Sequence, residues 1–172
     1  MTEIKSTLDL VMERTRHLTL SESEKTAQSA AEAHKRVAGL VQRYMDKALK
    51  PQEFTAELGL LASAHSNIHA LAISALIDAI DLGGDNEALL SLLADHLDTP
   101  VDAIETIVSE CRKAVQEEAA QQRAKLRDRL QKERHISGSA VVPRLSADQG
   151  WRQRRRHIEQ HFRRQLEALK PQ

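Results

Sequence analysis

Two histidine pairs are the first residues in this sequence that could do chemistry. His65 and His69, and again His157 and His161, are four apart, which on a helix lets one face offer two imidazoles to a metal ion. Neither pair has a glutamate next to its first histidine, as a hydrolytic zinc helix requires, and no Glu-x-x-His of the di-iron bundles occurs. A complete site would have to recruit Glu57, Asp78 or His96 from far along the chain. His65 and His69 are therefore only weak metal candidates, and the sequence predicts His65 as a ring packed in the core with His69 at its edge. Cys111 falls on an apolar stripe between Val108 and Val115. The nearby Glu105 and Glu110 would raise its thiol pKa, so it reads as a packed cysteine and not a nucleophile. Gly83-Gly84 lacks the lysine of a phosphate loop. No catalytic residue and no cofactor is assigned, and the chain is read as a non-enzyme.

Two further constellations concern binding. Leu89 to Val108 resembles a helix-turn-helix, with Leu93, Ala94 and Leu97 on the first helix and Ile104 and Ile107 on the second. Asp98 stands where that motif usually has glycine, and Asp102, Glu105 and Ser109 would face the DNA. Carboxylates aimed at phosphates weaken duplex binding, so an ordinary helical corner is expected. The other constellation is the last helix. Trp151, Ile158, Phe162, Leu166 and Leu169 form an apolar stripe, and Arg152, Arg154, Arg155, Arg156, Arg163 and Arg164 cover the other faces. Such a helix wants a partner surface. Trp151, Arg152, Arg155, Arg156, Ile158, Phe162, Arg163, Arg164 and Leu166 are the predicted partner-binding residues. Protein contact, including self-association into a homo-oligomer, is the leading expectation. Nucleic-acid backbone binding is the alternative, with few rings available for base stacking.

The elements that must position these residues are all helical. Ile4, Leu8, Val11, Thr15 and Leu18 form a short amphipathic stripe. Ser21 and Glu24 make a capping box for a helix carrying Ala30, His34, Val37, Val41, Tyr44 and Ala48 on one face. Lys50-Pro51 ends it and opens the next. Gln52 to Leu82 is the most apolar region and the predicted centre of the core. Gly83-Gly84 breaks it, Asp85 caps a short leucine-rich helix, and Thr99-Pro100-Val101-Asp102 starts a long one. Past Val115 that helix turns polar through Ala119, Gln122, Leu126 and Leu130. Ile136 to Arg144 is a linker, and Ser146 with Gln149 is a third capping box.

The expected fold is all-α: a compact acidic helical bundle core with long amphipathic extensions and a basic C-terminal helix. Its segments are 1–50 (amphipathic helices), 51–115 (acidic core), 116–135 (polar extension), 136–145 (linker) and 146–172 (basic helix). The polar extension is expected to pair with the alanine-rich second helix as an arm, or with a second subunit.

Charge is segregated along this plan. Of 172 residues, 25 are Lys or Arg and 25 Asp or Glu, so the formal net charge is zero. Yet no Lys or Arg lies between Lys50 and Arg112, where eleven carboxylates fall, while Arg112 to Gln172 holds sixteen cations against seven acids. A neutral total hides a dipolar molecule that can attract cationic surfaces at its middle and anionic ones at its end.

Leu58 to Ile77 is twenty residues without a formal charge, long enough to span a bilayer. His65, Ser66, Asn67, His69 and Ser74 interrupt it and no basic anchor flanks it, so a buried helix, or two short ones broken at Ser66-Asn67, is expected in place of a membrane span. The lone cysteine and the absence of a signal-like start point to the cytoplasm. The opening Ile4-Lys5-Ser6-Thr7-Leu8-Asp9-Leu10-Val11-Met12-Glu13-Arg14-Thr15, followed by the capped Ala/Glu/Lys-rich helix, resembles a small family of uncharacterised bacterial helical proteins. The resemblance covers about the first quarter of the chain and implies a bacterial cytoplasmic protein, with no activity, cofactor or site.

Overall fold

The computed structural model describes residues 21–138 and 140–171. The Ile4–Leu18 stripe and the Ile4–Thr15 resemblance lie outside them. The described residues form six α-helices and no strand, so the fold is all-α.

Helix α1 spans Glu22–Met45. Its capping box is present: the Glu24 N–H donates to Ser21 Oγ at 3.2 Å, and the Ser21 N–H donates to Glu24 Oε2 at 2.7 Å. The buried face is Ala33, Val37, Leu40, Val41 and Tyr44. Ala30, His34 and Ala48, expected on that face, are exposed. Two stripes share Val37, Val41 and Tyr44, and the helix turns toward the one that buries Leu40 and leaves the polar His34 in water. Ser21 to Glu32 is exposed throughout.

Helices α2 (Pro51–Ala62) and α3 (Ile68–Ala79) divide the uncharged stretch in two. Pro51 starts α2 as expected, with the Lys50 N–H donating to Glu53 Oε2 at 2.9 Å. Among the described residues no helix is long and apolar enough to cross a membrane. The turn at Asp81 to Asn86 follows. Buried Asn86 fastens it, accepting from the Asp81 N–H at 2.9 Å and donating to the Asp81 carbonyl at 2.7 Å. Gly84 sits so close to Asp81 that an added Cβ would lie 2.9 Å from the Asp81 Cγ.

Helix α4 (Glu87–Ser91) begins under the Asp85 carboxylate, which accepts from the Glu87 N–H at 3.0 Å, and widens into a π-helical turn at Leu92–His96. Helix α5 runs from Asp102 to Arg134 without a break. Thr99 is not its cap: the Thr99 N–H donates to the Leu93 carbonyl and its hydroxyl to Leu97, which closes the π-turn and leaves α5 to start three residues later. Asp98 takes φ +50°, so the aspartate supplies the left-handed conformation that the helix-turn-helix comparison assigned to glycine. A 3-10 turn at Leu145–Ala147 leads to α6 (Gln149–Glu167). The cap of α6 is Asp148 and not Ser146, which the 3-10 turn holds two residues too early. The Asp148 carboxylate accepts from the Trp151 N–H at 2.5 Å and from the Gln122 amide at 3.2 Å.

The core gathers Phe54 and Leu58 of α2, Ile68, Ala72, Leu76 and Ile77 of α3, Leu92 and Leu93 of the π-turn, Ile104, Val108 and Cys111 of α5, and Phe162 and Leu166 of α6. The first half of α5 belongs to this core. Its second half packs against α6 and the 3-10 turn, where Ala119, Gln122 and Trp151 are buried outside the main cluster. The polar extension thus pairs with the basic helix, not with α1. Apolar pairing with α1 would need two alanine-rich faces to meet, whereas Trp151 offers α5 a far larger buried area.

Candidate interaction surfaces

Helix α6 carries all nine predicted partner-binding residues, and folding sorts them by side. Phe162 and Leu166 lie in the core, Trp151 is buried against the chain, and Ile158 is half-buried. The apolar stripe therefore has a partner already, within its own chain. Leu169, at the end of the stripe, is 40% exposed.

The inward arginines hold α6 in place. Arg163 reaches the end of α3, where helical carbonyls lack intrahelical donors and the dipole favours a cation. Its Nη2 donates to the Ile80 carbonyl at 2.6 Å, and its Nη1 to those of Ile77 and Asp78 at 3.4 and 3.3 Å. Lys170 Nζ lies 2.6 Å from Asp78 Oδ1. Arg154 Nε stands 2.7 Å from Glu118 Oε1 but makes no aligned hydrogen bond, so this is a charge contact only. Arg155 pairs with Glu159 on its own helix at 2.7 Å. Arg112, on α5, donates to the Gly84 carbonyl.

Arg152, Arg156 and Arg164 point outward and are exposed, and none forms an ion pair with a described residue. From Arg152 to Arg164 this cationic strip extends about 18 Å at the helical rise. Tyr44, Phe54, Trp151 and Phe162 are the only Phe, Trp and Tyr in the chain, and all four are buried. The only exposed rings beside the strip are, among the described residues, the imidazoles of His157 and His161.

The second surface lies on the acidic segment. Helix α4 packs through its π-turn on α2 and stands apart from α5, and the space between them is a groove of about 550 Å³. Leu90, Ala94, Val101 and Val108 form its floor. Glu87, Asp95 and Glu105 form its lips; all three are exposed and none is in an ion pair with a described residue. Of the eleven carboxylates in the acidic segment, Glu57 pairs with Arg43 and Asp78 with Lys170. This groove is the inner angle of the helix-turn-helix-like hairpin. Of the second-helix residues expected to face outward, Asp102 is exposed outside the groove, while Glu105 and Ser109 line the groove itself; acids still stand where a DNA reader needs cations. Sequence reasoning named these residues but not the groove, although Leu90, Ala94, Val101 and Val108 sit at helical spacing on two facing helices.

The histidines come apart. His65 lies in the turn after α2 and His69 in the first turn of α3, so they do not share one helix face and the four-residue spacing loses its meaning. No three His, Cys, Asp or Glu side chains cluster for a metal among the described residues. His157 and His161 are both exposed on α6, and His161 sets its ring edge-on to Phe162. Cys111 is 1% exposed, as a packed residue. Its pKa is raised first by burial and then by Glu159, against the opposing pull of Arg155, Arg112 and Arg163. Glu105 and Glu110, expected to do this from the same helix, point into solvent instead.

No protein-family model, curated protein sequence or solved structure matches the chain.

Proposed function

We propose that this chain is a non-enzymatic protein-interaction or assembly protein that recognises partners through opposite charges held on separate surfaces. One observation carries the reading: the cationic strip of α6 and the carboxylate-lipped groove between α4 and α5 both remain exposed instead of neutralising each other. Separate fields of opposite sign steer encounter and select partners more than they add affinity. They also suit copy-to-copy contact, so self-association belongs to the proposal. A lone buried thiol suits a reducing cytoplasm.

Size-exclusion chromatography with light scattering at low and high salt tests this, with absorbance at 260 and 280 nm recorded across the peak. The expected result is an association that salt dissolves and that is lost in Arg152→Glu/Arg156→Glu or in Asp95→Lys/Glu105→Lys. A species indifferent to salt and to both pairs of substitutions would sink the reading.

A second reading is backbone binding to nucleic acid, favoured by the exposure of Arg152, Arg156 and Arg164. With every Phe, Trp and Tyr ring buried, its contacts would be mainly to phosphates and largely blind to base sequence. It predicts excess 260 nm absorbance that salt strips and that disappears in the arginine variant alone.

A further inference from the structure

The binding reading leaves open what enters the groove, and the groove's own chemistry narrows that choice. Its walls are two helical faces: Glu87, Leu90, Ser91, Ala94 and Asp95 on one side and Val101, Glu105, Val108, Ser109 and Arg112 on the other. Both follow spacings of three and four, so the apolar floor repeats at the period of a helix. Ser91, Ala94 and Ser109 are small, which lets another helical backbone come close. The wall from Glu87 to Asp95 is about 12 Å long and the α5 wall about 22 Å, so about two turns of a helix would lie between both walls. One wall contains the π-turn, a helical irregularity that concentrates at functional sites.

Charge fixes the sign of the occupant. The lips are Glu87, Asp95 and Glu105, three carboxylates against the two cations of the lining, Arg112, which donates to the Gly84 carbonyl, and Lys113; the lining as a whole stays acidic by one charge. Two occupants from this sequence fit poorly. Helix α6, the chain's own cationic amphipathic helix, has buried its apolar stripe. Residues 1–20 carry three Lys or Arg against three Asp or Glu and offer no net charge to the lips.

We infer that the groove between α4 and α5 is the docking site for a cationic amphipathic helix of a partner protein. This rests on the interaction reading above and gives it an address and a partner class.

The test uses the full chain and a fluorescein-labelled helical peptide with leucines at positions i, i+3, i+4 and i+7 and lysines on its other faces. Anisotropy titrations compare the wild type with Ser109→Trp, which fills the groove from an exposed position, and with Asp95→Lys/Glu105→Lys, which reverses the lips. Thr106→Trp adds the same ring to α5 outside the groove and serves as the control, with circular dichroism confirming that all variants fold. The expected result is binding that weakens about tenfold or more in both groove variants and is unchanged in the control. A peptide of the same composition with its leucines scrambled should bind more weakly.

Binding that survives both groove variants would overturn the groove while leaving charge-steered interaction standing. Failure of the cationic peptide to bind the wild type would overturn the inference by itself; the salt dependence of the chain's own associations still judges the broader reading. A dimer of the wild type that Ser109→Trp splits, or a synthetic peptide of residues 1–20 that competes for the groove, would replace the partner helix with a second copy or with the chain's own segment.

Discussion

Replacing Arg163 with glutamine removes the side chain of α6 that hydrogen-bonds the carbonyls at the end of α3. Its 2.6 Å bond to the Ile80 carbonyl is the strong one; the bonds at 3.4 and 3.3 Å to Ile77 and Asp78 are long and contribute little. A charged donor on a partly buried carbonyl is worth about 1.5 kcal/mol net, and the helix-end dipole adds about 0.5 kcal/mol. Arg163→Gln should therefore cost about 2 kcal/mol in urea unfolding, with an unchanged m-value, and lower Tm by about 4–8 °C for a chain of this size. Arg163→Lys, with one compact ammonium, should recover part of the loss. Arg164→Gln, the exposed neighbour, should stay within about 0.5 kcal/mol of wild type. If Arg163→Gln is as silent as Arg164→Gln, apolar burial alone anchors α6 and the C-terminal capping argument fails.

Tyr44 donates its hydroxyl to the Ala88 carbonyl at 2.9 Å, and burial raises its pKa above the usual 10.0. The protonated phenol is the form the fold favours, so this contribution is complete below the ordinary tyrosine range and is lost as pH climbs through the raised value. Tyr44→Phe should cost about 1 kcal/mol near neutral pH and flatten that alkaline decline in stability. Cys111 should resist an aromatic disulfide reagent in the native protein and react at the rate of unfolding, because its thiol is both buried and held protonated; fast native labelling would contradict the packing described. Gly84→Ala should cost about 1 kcal/mol or less in the same urea assay, since its methyl group swings the exposed Asp81 carboxylate aside and with it the bond from the Gly83 N–H; a loss above about 2 kcal/mol would mean that the turn cannot yield.

The sequence carried the local punctuation well. Ser21 with Glu24 and Pro51 marked helix starts that the structure keeps, because each acts on its own few residues; the ends fall earlier than Lys50 and Gly83-Gly84 put them, since α1 stops at Met45 and α3 at Ala79. Thr99 and Ser146 misled for a related reason: each is a good cap by type, but a neighbouring turn, the π-turn or the 3-10 turn, had claim to its backbone. The rotation of α1 was ambiguous, since Val37, Val41 and Tyr44 fit two stripes and only tertiary packing chose between His34 and Leu40. The α6 stripe was legible as a stripe, but its partner was not. Nothing in six arginines on one helix singles out Arg163 as the inward one; that follows from the register of α6 against α3, more than eighty residues away in sequence. For the same reason, the acid that acts on Cys111 is Glu159 of another helix and not Glu105 or Glu110 of its own. The groove was invisible because it depends on two helices standing apart, and periodicity reports faces, not distances.

The position of Phe162 and Leu166 in the main core bears on how the chain matures as it is made. A ribosome completes α1 to α5 before these two side chains exist, so the nascent molecule must hold its α3 and α5 faces uncovered while it waits for α6. A message cut short, or a protease acting between Arg134 and Trp151, would leave those apolar faces bare and the last carbonyls of α3 without their arginine. Quality-control proteases and chaperones read such exposed apolar surface, so α6 also distinguishes copies whose core is closed from copies whose core is open.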